Sequence, residues 1–298
     1  GRLVVGAGAK IGIWNLSPNA SSSVALVKVG VGFADSIDLS IDAGAAISRA
    51  GLYADSTASL ALETAINGMS DFNARWIVPI DIPILPGGSA TAFSSVADNS
   101  SASVDADALA ITVPAGAHYD ELRIRNSGQA VIDAANGTAY RFRRVRIENG
   151  GSLLIRGSVQ ILVDEEFDIQ SGTAMLDDTS ASAVVYLSGD LIVEDAKLGI
   201  LPPDKSSGTG VIGTYAAPAR FHVIAVAPTL GGSSDPQWTL QSNSIFVGRL
   251  SNPLGLVGVA SGSKVCGNAV AREFNLASGC CLLYCPTMDS MMGYTSIS

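Results

Sequence analysis

The 298-residue sequence is short of the side chains on which most enzymes and nucleic-acid-binding proteins depend. It has only two histidines, and charged residues make up 15% and aromatic residues 6% of the chain. Lysine and arginine together number 18 against 27 aspartate and glutamate residues, which gives a formal net charge of −9. Phosphate binding requires a positive patch or stripe, so nucleic acid and anionic membrane surfaces are not expected partners.

Long hydrophobic runs are also missing. None approaches the roughly 18 to 20 residues that a membrane-spanning helix needs, so we expect no membrane insertion by these residues. The sequence begins at Gly1 without a charged and apolar leader, and we expect that a signal or pilin-like anchor was removed or lies outside it. With 47% hydrophobic residues and 32 glycines, the composition is typical of a β-rich exported protein, extracellular or at the cell surface.

Cysteine is confined to the C-terminal end of the chain. The four cysteines are Cys266, Cys280, Cys281 and Cys285. An even count clustered in a low-charge, turn-rich chain favours one or two disulfides that staple a terminal cap in an oxidising compartment. Buried free thiols are an alternative, and a zinc site is a third, although the spacing lacks the paired C-x2-C of zinc knuckles.

The middle of the chain, between Leu122 and Ile200, contains a sequence repeat. Apolar residues alternate in short groups that return at an interval of about 22 to 24 residues, within the range of solenoid repeats, and turn residues separate the groups. The first set is Leu122/Ile124, Val145/Ile147, Phe167/Ile169 and Leu191/Val193; the second is Ile132, Leu153/Ile155, Met175 and Leu198/Ile200; the third is Tyr140/Phe142, Val159/Ile161/Val163 and Val185/Leu187. Three interleaved sets predict an all-β solenoid, a right-handed parallel β-helix with three short strands in each coil.

The same rhythm divides the chain into four regions. Residues 1–70 are predicted to form N-terminal solenoid coils, with Val5 and Val29 one interval apart. Residues 71–110 carry Pro79, Pro83 and Pro86 and then a Ser/Ala/Asp-rich run, which predicts an extended segment and a long loop. The main solenoid is predicted at 111–260, and a cysteine-containing cap or tail at 261–298.

The central region also resembles a known family. It reads ITVPAGAHYDELRIRNSGQAVIDAANGTAYRFRRVRIENGGSLLIRGSVQILVDEEFDIQSG from Ile111, and YLSGDLIV follows from Tyr186. These patterns look like an uncharacterised bacterial domain family with an L-x-P-G-x-Y motif, strands of the form L-x-I-x-G-x-V-x-I-x-V, and Y-x-x-G-D-L-x-I. The similarity covers about residues 111–256, and it implies a surface β-solenoid of a kind often carried behind type IV pilin-like N-terminal segments.

Residues that could carry catalysis are few. His118 and His222 are far apart in sequence and no G-x-S-x-G motif is present, which argues against a hydrolase with a Ser-His-Asp triad. Paired carboxylates are more abundant, at Asp120/Glu121, Asp164/Glu165/Glu166, Asp177/Asp178 and Glu194/Asp195. Adjacent strand residues point to opposite faces, so these pairs are expected on solvated turns or faces. No cofactor is expected; calcium at Asp105/Asp107 or Asp177/Asp178 is an alternative that lacks the usual loop motifs.

One cluster of positive charge stands out between residues 123 and 156. We name it the arginine strip: Arg123, Arg125, Arg141, Arg143, Arg144, Arg146 and Arg156. Arg123 and Arg146 lie one repeat apart, so stacking places both outward while Leu122 and Val145 point inward. Such a strip can bind an acidic patch of a neighbouring subunit or an anionic glycan. The alternative is a solvated face paired with Asp120, Glu121 and Glu148.

These observations favour a non-enzymatic extracellular structural protein. The chain is expected to be the subunit of a surface filament, a pilus-like or sheath assembly, or an adhesin, with itself as the main partner and a surface glycan as another. A carbohydrate-active or glycan-binding β-helix is the first alternative. A trimeric phage-type spike is the second.

Overall fold

The structure, a computed structural model, describes residues 2–13, 25–28, 38–41, 46–47, 50–53, 73–74, 102–202, 220–226 and 232–284. The strands are β1 Arg2–Val5, β2 Lys10–Ile13, β3 Ala25–Lys28, β4 Asp38–Ile41, β5 Ala46–Ile47, β6 Ala50–Tyr53, β7 Asn73–Ala74, β8 Ala102–Asp107, β9 Ala110–Thr112, β10 His118–Arg125, β11 Gln129–Asp133, β12 Ala139–Glu148, β13 Ser152–Arg156, β14 Ser158–Gln170, β15 Thr173–Leu176, β16 Ser182–Leu187, β17 Asp190–Glu194, β18 Lys197–Ile200, β19 Phe221–Ala225, β20 Gln237–Gln241, β21 Ile245–Val259, β22 Lys264–Leu276 and β23 Cys281–Tyr284. The fold is all-β, with a short 3₁₀ turn at Ala134–Asn136.

The strands pair in parallel and fall into three columns. The first column runs through β8, β10, β12, β14, β17, β20, β21, β22, β1 and β4. The second runs through β9, β11, β13, β15, β18, β21, β22, β23, β2 and β5. The third runs through β10, β12, β14, β16, β19, β21 and β22. Long strands such as β12 and β14 turn a corner and contribute to two columns.

The predicted repeat is confirmed in the central strands. Leu122, Val145, Phe167 and Leu191 are successive register partners, at the near-constant interval that the sequence pattern predicts. All four side chains are buried in one continuous apolar core. Because the inward residue of each strand rests on the inward residue of the next, the alternating pattern and the interval together position the outward side chains.

One corner is turned in the same way in successive layers. After each first-column strand, a residue adopts a left-handed backbone conformation, with φ of 52° at Asn126, 50° at Asn149, 53° at Ser171 and 47° at Asp195. Non-glycine residues seldom have positive φ, and the short polar side chains of Asn and Asp tolerate it best. The polar residues that punctuate the apolar groups therefore define this corner.

The regular interval does not continue beyond Leu191. Its next register partner is Trp238, about twice the usual interval further along the chain, and Trp238 is followed by Val257 after less than one interval. The second set of apolar residues included Met175 as an inward residue. The residue that pairs with Ile155 and is fully buried is instead Leu176, so Met175 was predicted on the wrong face. The two are adjacent in sequence, and in a strand a shift of one position reverses the direction of the side chain.

Strands near both ends of the chain join the columns. Val5 pairs with Leu276 and Ile41, so β1 does not pair at the predicted interval, and Val29 lies outside the described residues. β8 falls inside the segment predicted as a loop and β9 begins at its last residue, while residues 75–101, with the three prolines, are outside the described part. β22 and β23 extend the columns into the predicted cap; a separate sheet joins β3, β6 and β7.

Candidate functional site

The outward side of the first column is a ladder of opposite charges. Asp105, Arg123, Arg146 and Asp168 are consecutive register partners on β8, β10, β12 and β14. Side chains of neighbouring parallel strands stand close enough to interact, and the Arg123–Arg146 stacking predicted from the sequence is therefore present. The carboxylates on either side offset the repulsion between the two arginines.

The arginines of the strip are each in contact with at least one carboxylate. The nitrogen-to-oxygen distances are 2.9 Å for Arg123–Glu148, 2.9 Å for Arg125–Asp105, 3.1 Å for Arg125–Asp107, 3.1 Å for Arg143–Asp120, 2.7 Å for Arg144–Glu165, 3.0 Å for Arg146–Glu166, 3.7 Å for Arg146–Glu121 and 3.3 Å for Arg156–Asp177. The carboxylates expected to pair with the strip, Asp120, Glu121 and Glu148, all do so. This geometry favours a self-neutralised face over a free cationic surface.

The strength of these pairs is limited by their exposure. The side chains of Arg123, Arg125, Arg143, Arg144 and Arg146 are between 32% and 38% exposed, and that of Arg156 is 48% exposed. Ion pairs at such positions contribute about 0–1 kcal/mol each. The ladder therefore sets which strands can stack in register more than it sets total stability.

A second group of charges is buried. Asp164 is 1% exposed, and His118 and Arg141 are each 7% exposed. Arg141 donates from Nε to Asp164 Oδ2 at 3.1 Å and from Nη2 to Oδ1 at 3.5 Å. His118 Nε2 lies 3.1 Å from Asp164 Oδ2. We refer to these three residues as the Asp164 cluster.

A β-bulge creates the Asp164 cluster. Phe142 pairs with Val163 and Arg144 with Glu166, so Arg143 stands opposite two residues, Asp164 and Glu165. A bulge adds one residue to a strand and redirects its side chain. Here it turns Asp164 toward His118 and Arg141, which are themselves register partners.

The cluster holds together the corner at which β12 and β14 bend. The guanidinium of Arg141 donates to both oxygens of the Asp164 carboxylate, which is the strongest geometry for this pair of groups. Sequence analysis missed this cluster, although His118, Arg141 and Asp164 follow one another at the repeat interval, and that spacing could have revealed it.

The two histidines lie in different layers. His118 is the first residue of β10, and His222 lies within β19, where its register partners are Val184 and Arg249. Four layers separate β10 from β19 in the third column. At about 4.8 Å per layer the distance is close to 19 Å, which keeps the two imidazoles from acting together.

Asp168, on the outward side of the first column, is a carboxyl group only 8% exposed. Burial raises its pKa, and the nearby carboxylates of Glu166 and Glu148 raise it further. Gln170 Nε2 donates to the two Asp168 oxygens at 3.3 and 3.0 Å, and Arg146 lies nearby; both contacts favour the charged form. Desolvation disfavours a charged carboxylate, so this group takes up a proton more readily than a solvated aspartate.

The carboxylates considered for calcium have other partners. Asp105 and Asp107 both contact Arg125, at 2.9 and 3.1 Å, and Asp177 contacts Arg156. Asp178 accepts hydrogen bonds from the backbone of Ser180 and Ala181 in a tight turn. In the ranges that the structure covers, no group of three or more His, Cys, Asp or Glu side chains could hold a metal ion.

The C-terminal cysteines contribute to strands. No disulfide joins any two of Cys266, Cys280 and Cys281, and Cys285 lies outside the described residues, so a disulfide that includes it stays a prediction. Cys266 and Cys280 are buried in different apolar clusters, which keeps their side chains apart. Burial raises the pKa of the Cys280 thiol, and a buried thiol of this kind is unreactive.

Comparison of the chain with protein-family models, with curated proteins and with solved structures finds no match. The resemblance to the bacterial surface family stays a prediction. In the described portion, no helix combines the length and the apolar character that crossing a membrane requires.

Proposed function

We propose that the chain is a β-solenoid, a right-handed parallel β-helix, that serves as a non-enzymatic structural subunit outside the cell. Its main partner is a further copy of itself, in a surface filament, a pilus-like or sheath assembly, or an adhesive structure. The family resemblance of residues 111–256 points in the same direction. Low charge and high glycine content agree with export.

The observation that carries this proposal is the constancy of register along the columns. Leu122, Val145, Phe167, Leu191 and Trp238 stack in one inward row across five layers of the first column. Each layer buries its apolar side only against the layers above and below it. A stack of that kind grows by adding further layers, which is the physical basis of solenoids and of their end-to-end association.

The charge arrangement supports a structural role over ligand binding. The arginines with which an anionic glycan would pair are already matched by carboxylates of adjacent strands. Binding a glycan there would first require breaking several of these contacts, such as Arg123–Glu148 and Arg144–Glu165.

Sedimentation and electron microscopy test the proposal. We expect sedimentation velocity over a rising series of protein concentrations to show a growing share of large species, and negative staining to show elongated particles. Raising the salt concentration should change this assembly little, because backbone pairing and apolar contact drive it more than exposed charge does. Monodisperse monomers at every concentration would overturn the structural role.

A second candidate function is supported by Asp168. A carboxyl group with a raised pKa on the same strand face as Glu166 is the kind of pair that glycoside hydrolases use as acid and base. This candidate predicts that the protein releases reducing ends from an acidic polysaccharide and that Asp168→Asn abolishes the release. If the native chain releases none, this candidate is wrong.

A further inference from the structure

The N-terminal strands complete the C-terminal end of the stack. β1 pairs in parallel with Glu273–Leu276 of β22, and β2 pairs with β23. The Gly6 amide donates to the Leu276 carbonyl at 2.7 Å, and the Ser278 hydroxyl donates to the Ala7 carbonyl. Val5 and Ile11 are 0% and 2% exposed and belong to the main core. This contact has the same parallel form as every other layer of the stack.

At the opposite end of the stack, β8 and β9 are the last of the described strands. Among the described strands, β8 pairs only with β10, and β9 only with β11. At this end Val104 and Ile111 are only partly buried, whereas their register partners Leu122 and Ala130 are fully buried. Leu109 is 69% exposed. An uncovered strand edge with apolar residues beside it is a site for adding another strand.

The strands β1 and β8 lie at opposite ends of the stack. In the first column, β22 lies seven layers from β8, and β1 is one layer beyond β22. At about 4.8 Å per layer, β1 is close to 38 Å from β8. Yet β1 precedes β8 in sequence, so strands that the chain connects lie at opposite ends of the described layers. Elements consecutive in sequence are usually neighbours in space.

We propose that the N-terminal strands β1 and β2 are exchanged between copies. In this arrangement β1 and β2 of one copy dock on β22 and β23 of the preceding copy, with the contacts described above. The donor's β1 and β2, with β4 and β5 paired to them, then lie at the end of the stack that faces its own β8–β9 edge. Such a head-to-tail contact does not close on itself and generates an open filament. The inference rests on the proposed structural function and names its docking surface and occupant.

Gly6 and Ser278 are the residues that distinguish donor from acceptor. A Cβ atom on Gly6 would lie 2.7 Å from the Ser278 backbone nitrogen and 3.0 Å from the Ala277 carbonyl carbon. Gly6→Val therefore blocks the N-terminal strands as donor and leaves the acceptor end intact. Because the Ser278 hydroxyl contacts the Ala7 carbonyl, Ser278→Trp blocks the acceptor and leaves the donor intact.

Mixing the two variants tests the exchange. We expect Gly6→Val and Ser278→Trp to be monomers when each is alone. An equimolar mixture should form a one-to-one dimer of twice the 30.4 kDa chain mass, because one intact donor meets one intact acceptor. Sedimentation velocity or light scattering on a sizing column reads the mass. A mixture that remains monomeric overturns the exchange.

Controls separate this inference from the proposed function. Ala7→Val and Ser278→Thr change neighbouring or similar atoms without the clash and should assemble as the native chain does. Circular dichroism must show an unchanged β-sheet spectrum; Gly6→Ala, which introduces the same Cβ atom, replaces Gly6→Val if it does not. A native chain that assembles beside a monomeric mixture overturns strand exchange alone. A monomeric native chain overturns both the structural function and the exchange, because the exchange generates a filament.

Discussion

At the scale of single residues, the buried Asp164 cluster predicts a large effect of one substitution on stability. Asp164→Asn removes the negative charge and leaves Arg141 and His118 buried without it. Breaking one partner of a buried ion pair costs about 3–5 kcal/mol. We expect a loss of that size in the free energy of unfolding, measured by urea titration.

The matched control for that substitution is Asp177→Asn. Asp177 contacts Arg156, whose side chain is 48% exposed, so the expected loss is only about 0–1 kcal/mol. If the two variants unfold at the same urea concentration, Asp164 does not make the buried contacts described above.

Asp168 gives a pH dependence of known sign. Its pKa is raised in the folded protein by burial, so the folded state holds the proton more tightly than the unfolded chain does. Its contribution to stability is fully present below the unfolded pKa of about 3.9 and is lost as pH rises through the folded pKa. Asp168→Asn should therefore be more stable than the native protein at pH 7.

Urea titrations of both proteins at pH 3 and pH 7 check this sign. The stability difference should be near zero at pH 3, where Asp168 is protonated in the native chain as well. A native protein more stable than the variant at pH 7 would mean that Arg146 and Gln170 outweigh burial.

How far single residues could be predicted depended on the face of the strand. Inward positions such as Leu122 and Ile124 were predicted correctly, because apolar alternation reports directly on burial. Met175 was assigned to the core in place of Leu176, since both are apolar and composition cannot choose between them. Asp164 was expected on a solvated turn, because the sequence does not reveal the bulge that turns it inward.

At the scale of elements, the corner after β16 depends on a close approach of two chain segments. A Cβ atom on Gly189 would overlap the carbonyl oxygen of Glu165, and the Gly189 carbonyl accepts a hydrogen bond from the Trp238 indole at 3.1 Å. Gly189→Ala should therefore push neighbouring layers apart. We expect a loss of about 1–3 kcal/mol in the free energy of unfolding, as for an overpacked core position.

Gly258, within β21, is the matched control. The atom closest to its added Cβ is the Trp238 carbonyl oxygen, at 3.9 Å, so Gly258→Ala meets no obstacle. It should be neutral or stabilise by about 0.4–1 kcal/mol, because alanine restricts the unfolded chain. Equal losses from the two substitutions would contradict the described corner.

The elements were predictable where the repeat was regular. The near-constant interval between apolar groups placed β10, β12, β14 and β17 in the correct register. After Leu191 the chain runs through about twice the usual interval before it rejoins the first column, and an insertion of that length removes the periodic signal. The strand β8 was missed because it consists of alanine, serine, aspartate and a single valine, which a loop also uses.

At the scale of the whole molecule, the order of layers differs from the order of sequence at one place. The pairing of Val5 with Leu276 joins residues from opposite ends of the chain, and no periodic pattern encodes such a contact. The sequence therefore predicted an all-β fold of repeated strands but not the pairing of β1 with β22. The four predicted regions remain a prediction, since much of residues 1–101 lies outside the described ranges.

The central claim is that parallel strands stack layer upon layer in each column. Distances along the first column test it most directly. Asp105, Thr239 and Asn275 occupy the same outward register position in β8, β20 and β22. Spin labels introduced through an encoded ketone side chain leave the native cysteines untouched, and dilution with unlabelled protein removes distances between copies. Pulsed electron spin resonance should give about 24 Å from Asp105 to Thr239 and about 34 Å from Asp105 to Asn275. A second distance no longer than the first would contradict the stack.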